Sequence, residues 1–122
     1  VILVDESQEL WIVENIFQKG YIVQRHEHTG TVYAYTTSGS WKYQEYPEIN
    51  RAGSFLFEPI GSIHTLEALE DNTQVWFQMY GRNLNLDAEG NVEYELNGPD
   101  TLAAYYALAE AEGFDRPNVI VR

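Results

Sequence analysis

The sequence predicts an all-β fold, a barrel of about eight or more short strands closed or nearly closed on itself, with one α-helix at its C-terminal end. Three observations predict it. β-branched and aromatic residues come in short runs, turn residues separate those runs at close intervals, and an alanine-rich stretch near the end breaks the pattern. Short strands expose unpaired edges, and closure hides them.

The first run, Glu9 to Phe17, is rich in Leu, Trp, Ile, Val and Phe, and Lys19-Gly20 turns it into Tyr21 to His28. Thr29-Gly30 leads to Thr31 to Thr37, and Ser38-Gly39 reads as a tight hairpin turn into Ser40 to Tyr46, which Pro47 to Asn50 ends. Further strands are expected at Ser54 to Phe57, His64 to Leu69, Thr73 to Tyr80, Asn83 to Leu86 and Val92 to Leu96, with Asp87 to Gly90 as a hairpin loop. In the tail, Pro99-Asp100 offers an N-cap, Thr101 to Glu112 a helical body and Gly113 a C′ glycine. Leu102, Tyr105, Tyr106 and Ala109 recur at three-and-four spacing, so one face can pack on the sheet as a plain cover, as a lid over a pocket or as a dimer contact. The 122 residues read as one domain, the barrel at about 9–96 and the helix at about 100–113.

A hydrophobic share of 44% and an aromatic share of 14% suit a packed globule. The net charge of −12 would repel phosphate backbones and anionic headgroups, so neither nucleic acid nor membrane is expected as a partner. With no cysteine, the chain offers neither disulfides nor thiolate ligands, and with no leader-like or long apolar segment a cytoplasmic location is expected.

The chemistry concentrates in histidine. The chain has three, His26, His28 and His64. On a strand, His26 and His28 project to one face while Glu27 points away, which makes a ready pair of imidazole ligands. Gly53, Pro59, Gly61 and His64 obey the spacing G-x5-P-x-G-x2-H, in which a strand runs into a rigid Pro/Gly turn that delivers one histidine to the next strand. Three imidazoles converging on one metal is the economical account.

Gly20, His26, His28 and Gly39 resemble the first signature of the cupins, G-x5-H-x-H-x3-E-x6-G, and Gly53 to His64 resembles their second. The resemblance implies a jelly-roll β-barrel with a metal in its mouth. Val32 stands where the usual cupin has its glutamate ligand, with Tyr33 next in line, and Ala68 replaces the terminal asparagine of the second signature. Three neutral imidazoles leave a divalent ion its full charge, a stronger Lewis acid toward an anionic chelating oxygen. Iron so held keeps about three octahedral positions open, whereas zinc would complete a tetrahedron with one water.

A narrower likeness runs from Arg25 through Gly39-Ser40-Trp41 to Phe57-Glu58-Pro59-Ile60-Gly61-Ser62-Ile63-His64-Thr65 and on into the Tyr-rich tail. These stretches resemble the 2,4′-dihydroxyacetophenone dioxygenase family and, more distantly, acetylacetone dioxygenase. The resemblance implies Fe(II) on His26, His28 and His64, with zinc, nickel or manganese as other occupants, and cleavage of a carbon–carbon bond of a hydroxyketone or dicarbonyl by O2. It also places Glu58 where the second family has a glutamate acting on the metal site from behind, and it implies a homo-oligomer, a dimer or tetramer, paired through N-terminal strands.

Between Phe57 and Pro59, Glu58 is costly to bury unless paired. It reads as a carboxylate that holds a ligating imidazole or handles a proton, as a direct ligand, or as a plain surface group. Glu45 is a weaker candidate, read as solvent-facing. Tyr33, Tyr35, Trp41, Tyr43, Phe57, Trp76, Phe77 and Tyr80 could line a pocket or fill the core, while Val32, Ala34 and Thr36 are expected to point inward and leave room near the metal. The function expected is an Fe(II) dioxygenase taking a ketone-type small molecule and O2, with Glu58 its catalytic carboxylate. The alternative is a non-catalytic zinc cupin, like the cupin domain of anti-sigma factors, acting as a ligand-binding or sensor domain.

Overall fold

The computed structural model covers residues 1–122. Alternation makes the strands. In β2 (Leu10–Phe17) Trp11, Val13 and Phe17 are buried, and in β4 (Val32–Ser38) Val32, Ala34 and Thr36 are buried while Tyr33, Tyr35 and Thr37 face out. The other strands are β1 (Leu3–Asp5), β3 (Ile22–His28), β5 (Ser40–Tyr43), β6 (Asn50–Arg51), β7 (Phe55–Glu58), β8 (Ile63–Ala68), β9 (Thr73–Tyr80), β10 (Asn83–Leu86), β11 (Val92–Leu96) and β12 (Ile120–Val121).

They form two six-stranded sheets, one in the order β12-β1-β2-β9-β4-β7 and the other β11-β10-β3-β8-β5-β6. The arrangement is a jelly-roll sandwich rather than a closed barrel. Its core lies between the sheets, where Trp41 of the second meets Phe77 of the first with ring centroids 5.9 Å apart. Trp41 is fully buried, and its indole N–H donates to Thr36 Oγ1 across the sandwich at 2.8 Å.

The expected strands are present, with differences at their ends. β5 stops at Tyr43 because Tyr46 N–H turns back to the Tyr43 carbonyl, so Glu45 lies in a turn. The three shortest strands, β1, β6 and β12, were not expected. β1 pairs antiparallel with β2 and parallel with β12.

The helix α1 runs Gly98–Ala111 and begins earlier than Pro99-Asp100 suggested. Asn97 is the cap, accepting the Asp100 N–H at 2.8 Å, and Pro99 sits in the first turn where its missing N–H does no harm. Gly98 is needed there, because a Cβ would stand 2.9 Å from Trp11 Cβ. Leu102 and Ala109 pack inward, whereas Tyr105 is exposed and Tyr106 lies under the Arg116 guanidinium.

Most of the aromatic pocket expectation fails. Tyr33, Tyr35, Phe57 and Trp76 lie exposed on the outer face of the first sheet, joined there by Phe55. Each alternates with an inward residue of its strand, so the pleat that buries Val32 and Ala34 turns the rings to solvent. Trp41 is core, and Tyr80 is half-buried away from the cavity.

Candidate metal centre

β3 and β8 are antiparallel neighbours, and their register sets His26 opposite His64. A break in that register between Val23 and His26 marks a β-bulge. The extra residue lets Val23 and His26, three apart, both face the interior, with His28 following two residues on. The turn at Pro59 to Ser62 is tied to β3 beside its last histidine: His28 N–H donates to the Ser62 carbonyl at 3.0 Å, and Gly61 N–H to the His28 carbonyl at 2.8 Å. Gly61, at φ +83°, takes a left-handed conformation that the turn requires.

The three rings meet at their Nε2 atoms. His28 Nε2 is 3.2 Å from His26 Nε2 and 3.1 Å from His64 Nε2. His26 Nδ1 lies 2.6 Å from the Gln24 carbonyl and His28 Nδ1 lies 2.8 Å from Asn83 Oδ1, partners that assign the proton to Nδ1 and leave each Nε2 lone pair pointing inward. Nitrogens about 2.1 Å from a shared ion would stand about 3.0 Å apart at right angles and about 3.4 Å apart at tetrahedral angles. The observed separations fall between those values, so this donor set fits one transition-metal ion.

All three histidines are buried. Burial, reinforced by the neighbouring imidazoles, holds His28 down at about 4 and His64 at about 2, and burial lowers His26 as well. The cluster is therefore neutral at neutral pH. Tyr43 stacks on His64 with ring centroids 3.7 Å apart, which clamps the plane of that ring.

Glu58 sits behind His64. Its Oε2 is 3.3 Å from His64 Nδ1, an ion-pair distance at which hydrogen-bond geometry is not met, since Nδ1 has no closed hydrogen bond. Burial raises the Glu58 carboxyl above its ordinary range. Glu58 is directly opposite Val32 in the β4–β7 pairing. Glu45 is exposed as expected, but its carboxylate accepts from Thr65 N–H at 2.7 Å and Thr65 Oγ1 at 2.9 Å, fixing the residue after His64.

His26 and His28 open onto a cavity of about 210 Å³ between the sheets. Trp11, Phe17, Tyr43, Phe77 and Met79 form much of its apolar wall. Its polar contribution comes from uncharged groups, Asn15, Asn83, Asn85 and Thr101 besides the histidines, and no Lys, Arg, Asp or Glu lines it. Val32, Ala34 and Thr36 point inward but do not border it, so the room near the cluster is made by β2, β9 and β10 instead. Of the eight aromatics considered from sequence, Tyr43 and Phe77 line it; Trp11 and Phe17 were missed, although the alternation of β2 could have found them.

Fold and cluster together define a cupin, a two-sheet jelly roll with inward histidines at the start of β8 and the end of β3. The chain belongs to the ChrR cupin-like domain family, whose model matches residues 1–83 and so includes all three histidines. It is similar to a solved protein of unknown function with a cupin-like fold from Ralstonia eutropha JMP134, at 30% identity and a TM-score of 0.92, over 99% of this chain and 76% of that one. An RmlC-like cupin from the same organism shares 26% identity at a TM-score of 0.87, over 98% of this chain and 78% of its own. An acetylacetone dioxygenase from Acinetobacter johnsonii shares the fold, with 19% identity and a TM-score of 0.78 over 83% of this chain and 70% of its own. No curated protein sequence matches.

Proposed function

We infer that this chain is a dioxygenase that holds Fe(II) on His26, His28 and His64 and uses O2 to cleave a carbon–carbon bond of a hydroxyketone or dicarbonyl substrate. The observation that carries this reading is three neutral imidazoles turned to one point beside a mostly apolar cavity, with no carboxylate among the converging donors. Bound there, Fe(II) supplies Lewis acidity toward a chelating oxygen and the one-electron chemistry that O2 requires.

The chain's own groups do the rest. With all three rings already neutral, no proton must leave before they ligate. Asn83 and the Gln24 carbonyl hold two of the rings in the productive tautomer. Glu58 is absent from the cavity wall, so it acts on His64, through the carboxylate charge set 3.3 Å from that ring's Nδ1. The apolar wall keeps bulk water from a bound ketone and orients its carbon skeleton. That a cupin of similar shape is an acetylacetone dioxygenase supports the reaction class.

The test is metal analysis of protein purified without added metal, then O2 uptake by the Fe(II)-loaded form against 2-hydroxyketones and β-diketones. Uptake with iron is expected, and His64→Ala should lose both metal and uptake. Tight native zinc with no uptake by the iron form would overturn this reading in favour of a metal-bound sensor or ligand-binding domain.

A further inference from the structure

Asn85 stands directly opposite His26 in the β3–β10 pairing, two residues after Asn83 stands opposite His28. Directly opposed residues place their Cβ atoms roughly 4.5–5.5 Å apart on one face of the sheet. Asn83 is occupied, since its carboxamide oxygen receives His28 Nδ1. Asn85 is not. It is only 4% exposed, its carboxamide closes no hydrogen bond within the protein, and it lines the cavity that His26 and His28 open onto.

A second unpartnered group shares that cavity. Thr101, in the first turns of α1, has a buried Oγ1 with no hydrogen-bond partner. A buried polar group left without a partner costs roughly 1–3 kcal/mol. One comes from a strand of the second sheet and one from the helix, and both line the same cavity. The backbone supports this: β10 pairs regularly with β3 through Asn83, Leu84 and Asn85, so Asn85 shares the inward face with Asn83, while the break in the β10–β11 register puts its extra residue, Glu93, on β11.

We propose that Asn85 and Thr101 form an uncharged polar subsite that binds a hydroxyl or carbonyl of the ligand set apart from the oxygens that chelate the metal. The proposal rests on the metal-centred reading above. The ligand class follows from the walls. With no cationic side chain lining the cavity, a carboxylate on the remote end would lose its water and gain no counter-charge, so the site prefers a remote end that is neutral. A dry cavity of about 150 Å³ holds a benzene molecule. The 210 Å³ cavity takes a ligand somewhat larger than that.

The experiment uses Co(II)-loaded protein without O2, so that binding is read from the cobalt absorption bands and turnover plays no part. Three probes share one chelating diketone: hexane-2,4-dione, its 6-hydroxy analogue and 3,5-dioxohexanoate. The hydroxylated probe should bind roughly three- to tenfold tighter than the parent, the range of one net hydrogen bond. The carboxylate should bind more weakly than either. In Asn85→Ala, and separately in the nearly isosteric Thr101→Val, the hydroxyl preference should shrink toward unity while the cobalt bands persist. A preference that survives in both variants, or one absent from the unmodified protein with cobalt bound, would overturn the subsite alone. Failure of cobalt to bind at all would overturn the metal reading and the subsite with it.

Discussion

Glu58 and Val32 face each other across β4 and β7, at the position where the usual cupin signature carries its carboxylate ligand. The carboxylate is therefore not lost from the neighbourhood. It arrives from the adjacent strand and stops at His64 Nδ1, one ring short of the converging Nε2 atoms. Glu58→Gln keeps shape while removing charge, so metal should be retained with affinity or turnover lowered on the order of tenfold or more, measured by metal titration and O2 uptake. Unaltered values for both would assign Glu58 to packing. The histidines were legible because three of one scarce residue type fell at diagnostic spacings, and Glu58 because its place in the second segment could be counted. Asn83, Asn85 and the Tyr43 clamp were not legible, since asparagine and tyrosine carry no such spacing signal. Their roles depend on which residues oppose each other across β3, β10, β8 and β5.

At the scale of elements, long alternating runs such as Thr73 to Tyr80 could be read to the residue, because one face is wholly buried and a slip would expose it. Strands of two or three residues could not, since they are too short to show a period and exist only through their partners. The helix start was misplaced by a similar local choice. Asn97 and Asp100 are both capping residues, and the decision for Asn97 rests on Gly98 fitting against Trp11. Asn97→Ala should cost about 1 kcal/mol of stability, seen as a lower urea midpoint with unchanged slope. Because α1 also carries Thr101 to the cavity, a frayed first turn would loosen one wall of the site.

For the whole molecule, the buried histidines couple stability to pH. In the metal-free protein their folded pKa values lie below the unfolded value of about 6.5, so on acidification the unfolded chain takes up protons first. Stability from this source is complete above about pH 6.5 and falls as pH drops toward about 4, where His28 protonates in the folded state, and on toward about 2 for His64. The slope is about 1.4 kcal/mol per pH unit for each proton taken up. Glu58 works oppositely, since burial raises its pKa and its proton favours the folded state on acidification, but one carboxyl opposes three imidazoles. Urea unfolding of metal-free protein should therefore give midpoints that fall from about pH 7.5 to about pH 5. Metal at about a hundredfold above its Kd should add about 2.7 kcal/mol near neutrality, a gain that shrinks as protons compete for the same nitrogens. A flat midpoint profile for the metal-free protein would show that the histidines do not titrate as burial dictates.

The parallel pairing of β1 with β12 sets the first and last strands of these 122 residues side by side at one margin of the first sheet, Leu3 beside Ile120 and Val4 beside Val121. Arg122 is held near Glu6, and from Asp5 back along β1 to Val1 is roughly 13 Å. A bridge of about five residues spans that gap. The exposed tip at Glu89-Gly90, between β10 and β11, offers a place to open the chain without severing β3, β8 or β10. Order along the polypeptide is thus separable from architecture: a circularly permuted chain cut there would present His26, His28 and His64 from the same strands in the same register.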